Sequence, residues 1–264
     1  MSRCSVPEWI ALTRAVSPAI ADCELTHLSR LPIDVALAAR QHAAYERALE
    51  GLGCVVHRLA STPGMPDAVF IEDTAVVLDE IAVIARPGAA SRQSETADVE
   101  EWLKHRMLLA RIEPPGTMDG GDVLVVGRRM FVGATARTNP DGLEQLRRIV
   151  EYFGYAMTVV DVRGCLHLKS AVTAVSDRVL LLNRAWVPAE AFDDYELVDV
   201  HPREPMAANI LRVGDGLLYS AGFPWTLERL RARGVAVATV DVGELAKAEG
   251  AVTCCSLIMK PPES

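Results

Sequence analysis

A helix, a strand and a hairpin recur along this chain, and that recurrence limits its fold more than any other feature. Residues 32–52 carry apolar side chains at helical spacing and stop at Gly51 and Gly53. Residues 54–59 alternate as a strand. A strand pair follows, 68–78 and 81–85, turning at Asp79-Glu80, and a second amphipathic helix is predicted over 95–110. The next copy has a hairpin over 122–126 and 130–133 about Gly127-Arg128, a helix over 142–153 and a strand over 156–162. A third has strands 167–172 and 179–182 about Asp177. The fourth has 196–200, then 208–212 and 217–220 about Gly214-Asp215-Gly216. A helix over 225–233, a strand over 235–240, a short helix near Glu244 and a strand holding Cys254 complete the fifth.

The spacing of chemically distinctive residues follows the same period. Glu72 to Asp119 is 47 positions, Asp119 to His167 is 48, His167 to Asn209 is 42, and Asn209 to Cys254 is 45. A period of 40–50 residues means a propeller, a solenoid or an array. The strand near residues 10–16 can close a ring by pairing with the last unit, which removes exposed sheet edges. In a ring, equivalent positions face the axis, so polar residues there line one pocket. With no linker or low-complexity tract, one domain over residues 1–264 is expected.

Composition narrows the partners. Half of the 264 residues are apolar and the net charge is −8, against a nucleic-acid or membrane-surface partner and compatible with a cationic small substrate. Six cysteines are scattered without framework spacing. No secretory signal is visible, since Arg3, Glu8, Arg14, Asp22 and Glu24 interrupt the early apolar runs, and no apolar stretch approaches a membrane span. Free thiols in a reducing cytoplasm are expected.

The matched positions hold Glu72/Asp73, Asp119/Asp122, His167, Asn209 and Cys254. Taken singly, each has a structural explanation: a small buried apolar thiol, a hydrogen-bonded imidazole, a Gly-rich turn, a satisfied amide. Together they describe nucleophilic chemistry. A thiolate is the nucleophile, and an imidazolium or aligned backbone can lower its pKa to the neutral range. His167 titrates near neutrality and serves as acid and base, with Asp119 orienting it. Strand alternation turns only one of Cys254 and Cys255 toward the axis. Four carboxylates (Asp67, Glu72, Asp73, Asp119) in one pocket call for a cation, and a guanidinium matches them in geometry. Arg92 and Arg137, 45 positions apart, suggest a carboxylate at the far end of that guest.

The blocks Pro66–Asp73, Arg86–Arg92, Asp119–Leu124, Arg137–Asn139, Gly164–Ser170 and Thr253–Ser256 occur in one order over nearly the whole chain. In these the chain resembles the dimethylarginine dimethylaminohydrolases of the guanidine-modifying superfamily. The resemblance implies a five-bladed α/β propeller (pentein) of pseudo-fivefold symmetry. It implies Cys254 as nucleophile, His167 as general acid and base, and Asp119 as supporting carboxylate. It further implies that Asp73 and Glu72 clasp the guanidinium with Phe70 as a wall. Asp67 and the carbonyls of Leu25 and Ala248 would receive the α-ammonium group, and Arg92 and Arg137 the α-carboxylate. The expected reaction is hydrolysis of Nω-methylated arginines to L-citrulline through a thiouronium intermediate. No cofactor or metal is expected, a zinc ion on thiol and imidazole being more inhibitory than helpful. A homodimer is left open.

Rival readings are an arginine deiminase, which usually carries an added helical insertion, an amidinotransferase, and a non-catalytic arginine-binding propeller. A papain-like peptidase is disfavoured because its cysteine lies near the N-terminus.

Overall fold

The computed structural model describes residues 9–61 and 63–261; Arg3, Cys4 and Glu8 lie outside them. In chain order its elements are β1 (Trp9–Arg14), α1 (Val35–Gly51), β2 (Cys54–Leu59), β3 (Ala75–Val77), β4 (Ile81–Ile84), α2 (Thr96–Leu103) and β5 (Leu108–Arg111). Then come β6 (Val123–Val126), β7 (Arg129–Ala134), α3 (Pro140–Tyr152), β8 (Ala156–Asp161), α4 (Leu168–Ala171), β9 (Val172–Ala174), β10 (Val179–Leu182) and β11 (Glu196–Asp199). The last are β12 (Ile210–Val213), β13 (Gly216–Ser220), α5 (Pro224–Arg231), β14 (Ala238–Val240), α6 (Gly243–Ala246) and β15 (Leu257–Met259).

These strands make five three-stranded sheets, β15-β1-β2, β3-β4-β5, β6-β7-β8, β9-β10-β11 and β12-β13-β14. In each, the first strand runs antiparallel to the second and the second parallel to the third. A parallel pair needs a crossover, so α1, α2, α3 and α5 fall between second and third strands, while the one-turn α4 and α6 precede first strands. First strands of neighbouring sheets touch, β3 with β15, β6 with β9 and β9 with β12, and therefore line the axis. Antiparallel pairing of Ile10 with Met259 joins the two ends of the chain. The expected α/β propeller of five repeated units is the fold observed.

Local chemistry explains the elements. Asp34 caps α1, its carboxylate accepting from the Leu37 N–H at 2.9 Å, and Ala38, Gln41, His42, Tyr45, Glu46 and Leu49 form the buried stripe. Asn139 caps α3 with Pro140 in the first turn, and Gly142, Leu146 and Val150 face inward at one-turn spacing. Val126 pairs with Arg129, leaving a two-residue turn in which Gly127 sits at φ 59°, the left-handed conformation such turns require. Apolar clusters fill the spaces between neighbouring sheets and under the helices, and each fully buried Leu or Val there stabilises by about 1.5–3 kcal/mol.

Several expectations need correction. The predicted helix over 95–110 is a 3-10 turn at Ala90–Glu95, the helix α2, and then β5. Of the predicted strand 68–78 only Ala75–Val77 is extended; Ile71–Thr74 is a 3-10 helix. Between β10 and β11 the crossover holds only a 3-10 turn, Ala189–Phe192, so that unit lacks the repeating helix. Neither His167 nor Cys254 lies in a strand. His167 is the N-cap of α4, and Cys254 occupies a turn ahead of β15.

Candidate active site

Each chemically distinctive residue stands at or just before the entry to an inner strand. Glu72 and Asp73 lie in the 3-10 turn before β3, and Asp119 caps the turn Gly120–Asp122 before β6. His167 precedes α4 and β9, Asn209 precedes β12, and Cys254 precedes β15.

His167 and Asp119 are both buried, and imidazole Nε2 meets Asp119 Oδ2 at 3.0 Å. Asp119 Oδ1 accepts from the Gly88 N–H at 2.8 Å, which holds the carboxylate in place. On the other face, His167 Nδ1 lies 3.7 Å from Asp73 Oδ1. Burial opposes the imidazolium. The charge of Asp73, the bond to Asp119 and the charge of Asp122 outweigh it and lift His167 to about 9. Asp73 accepts from the Gly121 N–H at 2.9 Å and pairs with Arg92 at 2.6 Å. Burial pushes Asp73 up, but His167 and Arg92 pull it down to about 2. A Cβ on Gly121 would lie 2.5 Å from His167 Nδ1 and 2.7 Å from Asp73 Oδ1, so the Gly-rich turn is demanded by close approach.

Cys254 is half-buried and Cys255 wholly buried. The Cys254 carbonyl accepts from the Glu72 N–H at 3.1 Å. Burial, then the charges of Glu72 and Asp73, push its thiol up to about 12. In the ligand-free protein the thiol is therefore raised rather than lowered, burial being the largest influence and the two acids the next. Glu72 is pushed up by burial against the opposing charge of Lys169, whose ammonium lies 2.5 Å away, and it also accepts from Thr253 Oγ1 at 2.8 Å. Asn209 donates to Thr253 Oγ1 and to the Lys169 carbonyl and accepts from the Thr253 N–H.

All eleven predicted residues come together around these turns. Phe70 and Ala248 share one apolar cluster, and Leu25 and Cys254 pack against it. Asp67 is buried and accepts from the Glu24 N–H at 3.1 Å, beside Leu25. Arg92 is occupied internally, between Asp73 and Glu95, with its Nη2 also donating to the Phe70 carbonyl at 3.1 Å. Arg137 places Nη2 3.2 Å from Thr26 Oγ1, while its buried Nη1 has no hydrogen-bond partner and lies 3.9 Å from Asp119. The four-acid pocket is thus less bare than expected, since Lys169 and Arg92 each neutralise one carboxylate.

Glu95, Lys169 and Asp122 belong to the site's support although no role was read for them. Glu95 stands three positions after Arg92, a spacing that favours pairing. Asp122 accepts from Thr135, Thr138 and the Leu168 N–H, tying α4 beneath His167, and burial pushes it up to about 6. Ligand atoms of Asp73, Asp119 and His167 lie within 4.8 Å of one another, a grouping that could hold a metal ion, but Arg92 and Arg137 already bring positive charge against it. A cavity of 280 Å³ opens beside the turns that hold His167 and Cys254, lined by Leu166, Ser170 and Val252. A larger one of 540 Å³ is lined by hairpin residues such as Val126, Gly127 and Asp215, and neither thiol nor imidazole borders it.

Five repeated sheets about an axis, with thiol, imidazole and acids at the inner strand entries, define the guanidine-modifying class of α/β propellers. The profile described as N,N dimethylarginine dimethylhydrolase, eukaryotic, matches residues 30–215. The N(G),N(G)-dimethylarginine dimethylaminohydrolase of Streptomyces coelicolor is 40% identical over 258 residues, 97% of this chain and 98% of the relative. That of Pseudomonas aeruginosa is 36% identical over 85% of this chain and 89% of its own. The crystal structure of a Pseudomonas aeruginosa enzyme of this kind, a Cys-to-Ser mutant with citrulline, superposes with a TM-score of 0.90 at 32% identity, covering 96% of this chain and all of that one. The chain belongs to the dimethylarginine dimethylaminohydrolase family.

Proposed function

We propose that this protein hydrolyses Nω-methylated L-arginines, asymmetric dimethylarginine and monomethylarginine, to L-citrulline and dimethylamine or methylamine. The observation that carries this reading is the Asp119–His167–Asp73 relay, 3.0 Å on one side and 3.7 Å on the other, beside a thiol on a neighbouring inner turn. The titration states suggest the order of events. Free, the thiol stays protonated at neutral pH and His167 is an imidazolium. A guanidinium seated against Glu72 and Asp73 offsets the acids' share of what holds the thiol up, so Cys254 releases its proton to solvent as the cation binds. Sulfur attacks the guanidinium carbon, and His167 gives its proton to the departing amine. The resulting thiouronium is opened by water whose proton returns to His167, and citrulline leaves as the C–S bond breaks.

At the amino-acid end, Asp67 with the Leu25 and Ala248 carbonyls receives the ammonium and Arg137 receives the carboxylate, to which Arg92, itself held by Asp73 and Glu95, adds its charge. The unpartnered Arg137 Nη1 supports that assignment. The ring acts as one domain on a small molecule, in the cytoplasm, where the five described cysteines stay free. No helix among the described residues is long and apolar enough to cross a membrane. A homodimer is the proposed assembly.

The test is citrulline release from dimethylarginine, monomethylarginine and arginine by the wild-type protein and by Cys254→Ser. Release is expected from the methylated substrates, faster than from arginine, and none from Cys254→Ser. Equal or greater turnover of arginine, or wild-type turnover by Cys254→Ser, overturns the reading.

A further inference from the structure

We propose that Glu249 is a positioning residue whose carboxylate latches residues 24–28 over the substrate pocket. The proposal rests on the reading above for what the pocket holds. Among the described residues Glu249 is the only non-glycine at positive φ, 59°. It lies just past α6, where the Gly250 N–H returns to the Leu245 carbonyl at 3.0 Å. Helices commonly end on a glycine in this left-handed conformation, because a Cβ there is strained. An acid in its place points to a use for the side chain.

That use is visible across the ring. The Glu249 carboxylate accepts from three successive backbone N–H groups, Thr26 at 3.0 Å, His27 at 2.5 Å and Leu28 at 2.6 Å. Consecutive N–H groups converging on one anion make a nest, and a charged acceptor strengthens each bond. The side chains of Thr26, His27 and Leu28 are exposed, so apolar burial does little to hold this stretch. Besides Leu25, which packs against the apolar cluster of Phe70 and Ala248, its other ties are polar: Ser91 to Glu24, the Glu24 N–H to Asp67, and Arg137 to Thr26.

The latch joins the two backbone stretches assigned to the substrate ammonium. Ala248 is its immediate neighbour, and Leu25 immediately precedes the latched N–H groups. His27, Leu28 and Glu249 also wall the 280 Å³ cavity beside the turns of His167 and Cys254. Releasing the latch opens the amino-acid end of the pocket while leaving thiol, imidazole and Asp119 where they are. Substrate binding therefore suffers more than the chemical step.

Two variants test this. Glu249→Gly removes the carboxylate and relieves the backbone strain; Glu249→Gln keeps the length and one acceptor oxygen. The readouts are hydrogen exchange of the amides of residues 26–28 without ligand, and kcat and KM with dimethylarginine. In Glu249→Gly the amides are expected to exchange roughly tenfold faster, with KM raised by roughly tenfold or more, the factor for one or two lost charge-assisted bonds. Its kcat stays close to wild type, and Glu249→Gln falls between. If Glu249 merely ends α6, the glycine variant is as stable as wild type with exchange and KM unchanged, and the proposal is overturned. It is overturned equally if exchange accelerates while KM stays put, or if kcat alone falls. If Glu249→Gly does not fold, the same comparison with Glu249→Gln decides. If the wild-type protein acts on no arginine, the preceding reading falls, and the exchange comparison still decides the latch.

Discussion

His167 is the residue whose state most depends on its surroundings. Its pKa of about 9 against an ordinary 6.5 means that its contribution to stability is fully present below pH 6.5 and lost as pH rises through about 9. In the proposed reaction the same group carries a proton to the leaving amine, so kcat is expected to fall as pH rises through about 9. Asp119→Asn removes one of the influences that raise the imidazole, so the descending limb should move to lower pH and kcat drop by roughly 100-fold, within the usual worth of general acid–base catalysis. A kcat–pH profile of the variant that overlays the wild type after scaling would show that Asp119 does not tune His167. Asp73 shifts the opposite way: its contribution is present above its ordinary 3.8 and lost as pH falls through about 2.

At the scale of elements, the hairpins were legible because their turn residues act locally. Asp79-Glu80, Gly127-Arg128 and Gly214-Asp215 all fall at the turns expected. The stretch 95–110 was less legible because Leu103, Met107 and Ala110 keep helical spacing past the true end of α2, with no Gly or Pro to mark the change to β5. His167 and Cys254 read as strand residues because their neighbours alternate. Buried contacts override that pattern, the Leu168 N–H turning to Asp122 and the Glu72 N–H to the Cys254 carbonyl. A cap is simpler to test. The Asn139 side chain accepts from the Gly142 and Thr117 N–H groups, so it holds α3 and the strand entry before Asp119 together. Asn139→Ala is expected to destabilise by about 1–2 kcal/mol, read as a lower denaturant midpoint at unchanged slope.

Over the whole molecule, the ring is held at its axis by polar ties as well as by apolar layers. Lys169 from the β9 entry, Glu72 from the β3 entry, Thr253 from the β15 entry and Asn209 from the β12 entry form one hydrogen-bonded chain. Breaking it leaves a buried carboxylate without its cation. Lys169→Met should lower stability by roughly 3–5 kcal/mol near pH 8. The deficit should shrink as pH is lowered, since Glu72, already raised by burial, then takes up a proton. A deficit that does not change with pH would show that Glu72 is not the group left stranded.

The order of the repeats, the turns between strands and the residue types at the strand entries are local properties, and the amino-acid sequence alone determined them. So too the pairing of a thiol, an imidazole and an acid at one recurring position. Tertiary structure decided which charges cancel. Arg92 against Asp73, Lys169 against Glu72, and Glu249 against the backbone of residues 26–28 join stretches 19, 97 and more than 200 positions apart. An ion pair or a pKa depends on distance and burial in three dimensions, and neither is carried by spacing along a chain.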